Sequence, residues 1–173
     1  MEEVILVNEN DEVLGTMEKL LAHETAKLHR AISVFIFNSK NELLIQQIAN
    51  SKYHSGGLWS NTACSHPRLN EESIYAASRR LEEEMGMKSD LEFKFKFKYK
   101  SEMMNGLFEH EVDHVFFGVT DTPPNPNPQE VSDFKYVSLE QLTLDIKYNT
   151  DNYTSWFLKL IDKVSLEINK TLN

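Results

Sequence analysis

The chain has 173 residues, a formal net charge of -9, 40% hydrophobic and 26% charged residues. That is enough for one soluble domain with a sizeable core, and its acidic balance gives no global attraction to nucleic acid or to an anionic membrane. No apolar run nears the roughly 20 residues of a membrane span, the acidic start MEEVILVNENDEV is unlike a signal peptide, and a lone cysteine, Cys64, leaves no internal disulfide and fits a reducing cytoplasm.

Taken in order, Val4 to Val7 and Val13 to Gly15 flank a polar turn and predict a small hairpin. Residues 17–28 have helical character with His23 inside. Ala31 to Phe37 is a buried strand, returned by Leu43 to Gln47 as a second hairpin. Residues 50–57 form a polar loop, and Leu58 to Ala63 a short strand leading into Cys64. A helix is expected from Asn70, as its cap, with Ile74, Ala77, Leu81 and Met85 as the buried stripe and Gly86 as the stop. Leu91 to Tyr99, LEFKFKFKY, alternates strictly and predicts a strand with one wet face. Glu109 to Val119 is a second long strand, TPPNPNPQ a rigid loop, and Phe134 to Val137 a short strand. Ser138 caps a helix over 139–145, and residues 155–168 close the chain as an amphipathic helix. No internal repeat or second boundary interrupts 1–173, so one domain is expected. Its fold class is α+β, with an α/β/α sandwich around a mixed sheet.

The chemistry concentrates in Ser60 to Met87. Cys64 and His66 precede a helix carrying Arg79, Arg80, Glu83 and Glu84. Arg80 and Glu84 share a face, as do Arg79 and Glu83, which alone fits a salt-bridged surface helix. The longer pattern says more. From Ser65, the residues Glu71, Arg79, Glu83, Glu84 and Gly86 fall at the spacings of the Nudix box, a loop–helix–loop that aims carboxylates at a magnesium ion on a diphosphate. Ser65 replaces the first glycine of that box. Arg80 replaces the glutamate used for hydrolysis, so the position holds an anion by charge instead of binding metal. Glu109 and Glu111 point to one face of their strand, with His110 and His114 on the other. With His23, His29 and His66 they make a set of five N/O donors suited to zinc, manganese or magnesium, if the fold gathers them.

NTACSHP, LHRAISVF, the Nudix-like box and FEHEVDHVFF, in that order, resemble the type I isopentenyl diphosphate:dimethylallyl diphosphate isomerases over nearly the whole chain. The resemblance implies a Nudix-type fold and a metal-dependent double-bond shift in isoprenoid precursor synthesis. It implies Cys64 and Glu111 as the acid–base pair on opposite faces of the substrate, with Tyr99 assisting Glu111. It implies His23, His29, His66, Glu109 and Glu111 as ligands of one divalent metal (Mn2+, Zn2+ or Mg2+). Glu84 and the main-chain carbonyl of Cys64 would hold a Mg2+ on the diphosphate. Lys19, Lys52 and Arg80 would bind the diphosphate, and Trp156 would wall the hydrocarbon pocket. The partner is then a small isoprenyl diphosphate, not nucleic acid or membrane, and the protein is a cytoplasmic monomer or dimer. Two features depart from the family. Ile48 stands where an arginine is usual, which removes a phosphate contact, and Ala63 precedes the cysteine. A Nudix pyrophosphohydrolase and an inactive metal-binding homologue are the alternatives. Arg80 in the box speaks against the first, and retained Cys64, Glu111, Tyr99 and Trp156 against the second.

Overall fold

A computed structural model describes residues 2–52 and 54–171, apart from the side chains of residues 104, 169 and 171. The chain runs β1 (Glu3–Val7), β2 (Val13–Glu18), α1 (Lys19–Glu24), β3 (His29–Phe37), β4 (Glu42–Ile48), β5 (Trp59–Ser60), β6 (Ala63–Ser65), α2 (Ser73–Met85), β7 (Leu91–Glu102), β8 (Phe108–Val119), β9 (Val131–Ser138), α3 (Leu139–Tyr148) and α4 (Ser155–Thr171). β3 is the centre of the sheet. β8 runs parallel along it from His29↔Glu111 to Phe37↔Val119. Its other pairings are antiparallel and shared out along its length: β1 at His29, β6 at 32–34 and β4 at 36–37. Strand alternation then fixes the layers. Ile32, Val34 and Ile36 pack with Ala77, Leu81 and Met85 of α2. Phe35 and Phe37 pack on the opposite face with Leu142 of α3 and Phe157, Leu160 and Val164 of α4. The result is the expected α+β sandwich around a mixed sheet.

Four local expectations need correction. The first helix covers only 19–24 of the expected 17–28. Met17 and Glu18 instead pair with Val4 and Glu3 in the first hairpin. The Glu18 carboxylate accepts the Leu20 and Leu21 amides, and Ala26, at φ +52°, ends the turn beyond. Asn70 is not the cap of α2; it sits at φ +64° in the preceding turn, and Glu72 takes the cap position. The strand expected over 58–63 is two short pieces. Between them, Thr62 Oγ1 donates to the Leu44 carbonyl (2.6 Å) and accepts the Ile36 amide (2.9 Å), which ties β3 to β4 where they part. In β7 the alternation is broken by a bulge, since Phe93 opposes Phe116 and Phe95 opposes Val115, leaving Lys94 as the extra residue. Phe95 and Phe97 therefore pack toward α4, while Phe93 lies edge-on to Phe116 and is 48% exposed.

Gly86 ends α2 as expected, at φ +61°. The proline-rich loop closes over this end: the Asn125 amide donates to the Met85 carbonyl (2.8 Å) and the Asn127 amide to that of Glu84 (2.9 Å). A Cβ at Gly86 would collide with the Asn125 carbonyl. Both the left-handed backbone and this close approach require glycine. Gly86→Ala is expected to lower the unfolding free energy by about 2–4 kcal/mol in urea titration; a loss below about 0.5 kcal/mol would contradict the packing described.

Candidate active site

The β3–β8–β7 register builds the site. Glu111 lies between His29 on β3 and Tyr99 on β7, directly opposite each. Its Oε1 is 3.4 Å from His29 Nε2, and its Oε2 accepts the Tyr99 hydroxyl at 2.7 Å. β6 pairs with β3 so that Cys64 opposes Ser33, and His66 follows β6 to bring its Nε2 within 3.1 Å of Glu111 Oε1. The short α1 supplies Lys19 and His23. A cavity of about 390 Å3, a size typical of small-molecule sites, is lined by Lys19, His23, Lys52, Cys64, His66, Arg80, Glu84, Tyr99, Glu109, Glu111 and Trp156. His29 is fully buried beneath it.

His23, His29, His66 and Glu111 place one donor atom each within 4.8 Å of one another. His23 Nδ1 and His29 Nδ1 donate to the carbonyls of Lys19 and Lys27, each at 2.7 Å, which turns both Nε2 lone pairs inward. Among the described residues, His29 Nε2 and His66 Nδ1 are buried without a hydrogen-bond partner. This donor set fits a divalent metal taking nitrogen and oxygen ligands. Glu109 stands apart from the four: its Oε2 lies 3.3 Å from the Tyr99 hydroxyl oxygen and accepts the Ser155 hydroxyl (3.4 Å). His110 and His114 are on the outer face, bonded to the Ala26 carbonyl and to Asp11.

The contacts of α2 and of the lysines are ionic. Glu71 receives Arg79 in a two-pronged bond (2.7 and 2.8 Å) and also accepts the Arg68 amide, so this pair of the box anchors the loop before α2. Arg80 contacts Glu83 (2.8 Å), Glu84 (2.8 Å) and Glu130 (3.1 Å). Glu84 is buried, with one oxygen on Arg80 and the other accepting Gln46 Nε2 at 2.6 Å. Lys52 pairs with Glu130 (2.7 Å) and Lys19 with Glu2 (3.2 Å). Ile48 lines the cavity beside them. Trp156 is buried, its indole N–H held by Asn61 Oδ1 at 3.1 Å.

Burial and charge set the protonation states. Burial raises Glu111, but the close imidazoles of His29 and His66 overcome it and hold this carboxyl well below its usual range. Burial, then the charge of Glu111, pushes Glu109 up to about 9 and Asp113 up to about 8. Burial and the nearby Glu84 charge raise the Cys64 thiol, and burial with Glu111 raises Tyr99. Burial lowers His23, and lowers His66 to about 4. Glu111 is thus ionised beside a protonated Glu109 and Asp113.

Several lining residues escape a reading of the sequence. Gln46, Glu130 and Glu2 carry no motif, and the ring of His54 lies 6.5 Å from that of His23. Asp113 was detectable: it continues the period of Glu109 and Glu111, and accepts the Ser33 hydroxyl at 2.6 Å under the Cys64 strand.

An acid with a raised pKa stabilises the fold below its ordinary value of 4.5 or 3.8, and that contribution is lost as pH rises through the folded value. Above the ordinary imidazole value of 6.5, His23 and His66 are neutral in both folded and unfolded chains and drop out. Stability of the metal-free protein should therefore fall between about pH 6.5 and 9 as Glu109 and Asp113 give up protons. Added divalent metal should reduce the fall, because it favours ionised carboxylates. Denaturant titrations across this window check the sign; a rise would contradict it.

Comparison with known proteins agrees with this geometry. The NUDIX domain family model matches residues 27–157. The chain is 52% identical over 155 residues to an isopentenyl-diphosphate Delta-isomerase of Pectobacterium atrosepticum, covering 90% of this chain and 87% of that protein. It is 52% identical over 163 residues to isopentenyl-diphosphate Delta-isomerase 1 of Aromatoleum aromaticum, covering 94% and 92%. In fold it is similar to DR0079 of Deinococcus radiodurans, with TM-score 0.78 at 21% identity, covering 94% of this chain and 98% of that one. The chain belongs to the NUDIX superfamily and, within it, to the type I isopentenyl-diphosphate Delta-isomerases.

Proposed function

We propose that the chain, acting as a single domain in the cytoplasm, interconverts isopentenyl diphosphate and dimethylallyl diphosphate by moving one carbon–carbon double bond. The observation that carries this is the joint lining of one cavity by Cys64, Glu111 and Tyr99 together with Lys19, Lys52 and Arg80, beside a cluster of four metal donors.

An unactivated alkene is a weak base, so its protonation needs a placed donor, an enclosed site and tolerance of positive charge. Protonating the terminal methylene leaves a tertiary cation. Loss of a proton from the neighbouring carbon, on the diphosphate side, forms the new double bond. Cys64 and Glu111 are the two groups assigned to these transfers, and they exchange roles in the reverse direction. Tyr99 donates to Glu111 Oε2 at 2.7 Å and leaves Oε1 facing His29 and His66. The ring of Trp156, held by Asn61, can stabilise the cation by roughly 0.5–2 kcal/mol.

His23, His29, His66 and Glu111 would hold one divalent ion, Mn2+, Zn2+ or Mg2+, with Glu109 adjoining through Tyr99. When bound, the ion would supply positive charge that orients Glu111 and tunes its affinity for a proton. Glu84, with the Cys64 carbonyl, would hold Mg2+ on the diphosphate, which Lys19, Lys52 and Arg80 bind. Arg80 is neutralised by carboxylates and replaces the hydrolytic glutamate of the box, so the arrangement favours retaining the diphosphate over cleaving it.

Cys64→Ala and Glu111→Gln should each lower the rate of allylic diphosphate formation by at least roughly a hundredfold, with the melting temperature of the Cys64 variant near that of the parent. Isomerisation near the parent rate in either variant would remove that residue from the chemistry.

A further inference from the structure

Glu130 has no part in the motifs of the sequence, yet it holds two of the three cations assigned to the diphosphate. Its backbone is fixed just before β9: the amide donates to the Asn127 carbonyl (2.9 Å) and the carbonyl accepts the Ala49 amide (2.9 Å). From there the carboxylate enters the cavity lining, with Oε1 2.7 Å from Lys52 Nζ and Oε2 3.1 Å from Arg80 Nη2. A carboxylate offers lysine and arginine the same kind of oxygen acceptors as a phosphate.

We propose that Glu130 is an internal stand-in for the diphosphate, holding Lys52 and Arg80 while the site is empty and yielding them to substrate, so that it sets the affinity for the diphosphate. The proposal rests on the assignment of Lys52 and Arg80 to that group. Contrast with Glu84 explains why Glu130 is the carboxylate that yields. Glu84 is 5% exposed in its side chain and locked by both Gln46 and Arg80. The side chains of Glu130 and Lys52 are 25% and 35% exposed, so their ion pair opens at small cost. Arg80 keeps Glu83 and Glu84 when Glu130 leaves, and remains in place to receive the anion. Release needs only rotation of the Glu130 side chain, because its backbone bonds are independent of it. Burial opposes ionisation of Glu130, but Lys52 and Arg80 overcome this and lower its pKa, so it competes as a full negative charge at neutral pH. With Ile48 adding no charge, each carboxylate bound to these cations weighs more heavily on substrate affinity.

The test is calorimetric titration of inorganic diphosphate, with magnesium, into the parent protein and into Glu130→Gln, Glu130→Ser and Lys52→Met. Both Glu130 variants should bind roughly three- to tenfold tighter and show a lower KM for isopentenyl diphosphate without a higher kcat. Lys52→Met should bind at least roughly tenfold weaker. Weaker binding by Lys52→Met with unchanged or weaker binding by both Glu130 variants would overturn the inference, because Glu130 would then orient the cations or touch the ligand. Unchanged binding in all three variants would overturn the cation assignment itself, and the inference with it.

Discussion

The site depends on the register of three strands. His29, Glu111 and Tyr99 stand in one row across β3, β8 and β7, and the row makes the carboxylate at once a member of the candidate metal cluster and a hydrogen-bond acceptor. A slip of one residue in β8 would turn Glu109 and Glu111 outward and bring His110 and His114 in. The outer face opposes that slip. Asp11, in the turn between β1 and β2, binds Arg30 of β3 (2.8 Å), His114 of β8 (2.7 Å) and Lys96 of β7 (2.5 Å). One carboxylate therefore clasps three strands behind this row.

Two parts of the site use charge differently. Around the histidines, burial keeps Glu109 and Asp113 protonated while Glu111 is ionised. Such a cluster is costly without a cation to complete it, which is what the inward lone pairs of His23 and His29 provide for. Among the residues proposed to hold the diphosphate, each cation already faces a carboxylate: Lys19 faces Glu2, Lys52 faces Glu130, and Arg80 faces Glu83, Glu84 and Glu130. An acidic protein thereby keeps a small anion site without an exposed basic patch.

Much of this was legible in the chain. The β-branched and aromatic run of β3, the stripe of α2 and the Ser138 cap are local signals, and they appear where their patterns put them. That Cys64, His66, Arg80, Glu84 and Glu111 meet in one cavity was legible through motif spacing, and strand alternation sends Glu109 and Glu111 to one face. Alternation misled in β7, because nothing in LEFKFKFKY marks Lys94 as a bulge; its partner strand decides that. The first helix was read too long, because residues 17 and 18 pair in a hairpin that only the register reveals. Asn70 resembled a cap but adopts a left-handed turn, as asparagine readily does. Glu130 and Gln46 are ordinary polar residues in sequence. Only the pairing of β4 with β9 brings their neighbourhoods together.

The central claim is that one cavity shifts a double bond while keeping its diphosphate. The most direct measurement is proton NMR of isopentenyl diphosphate with purified, metal-loaded protein and magnesium in heavy water. The account predicts dimethylallyl diphosphate carrying deuterium from solvent, with no phosphate released. Unchanged substrate, or cleavage of the diphosphate, with the histidine site shown to be filled, would contradict it.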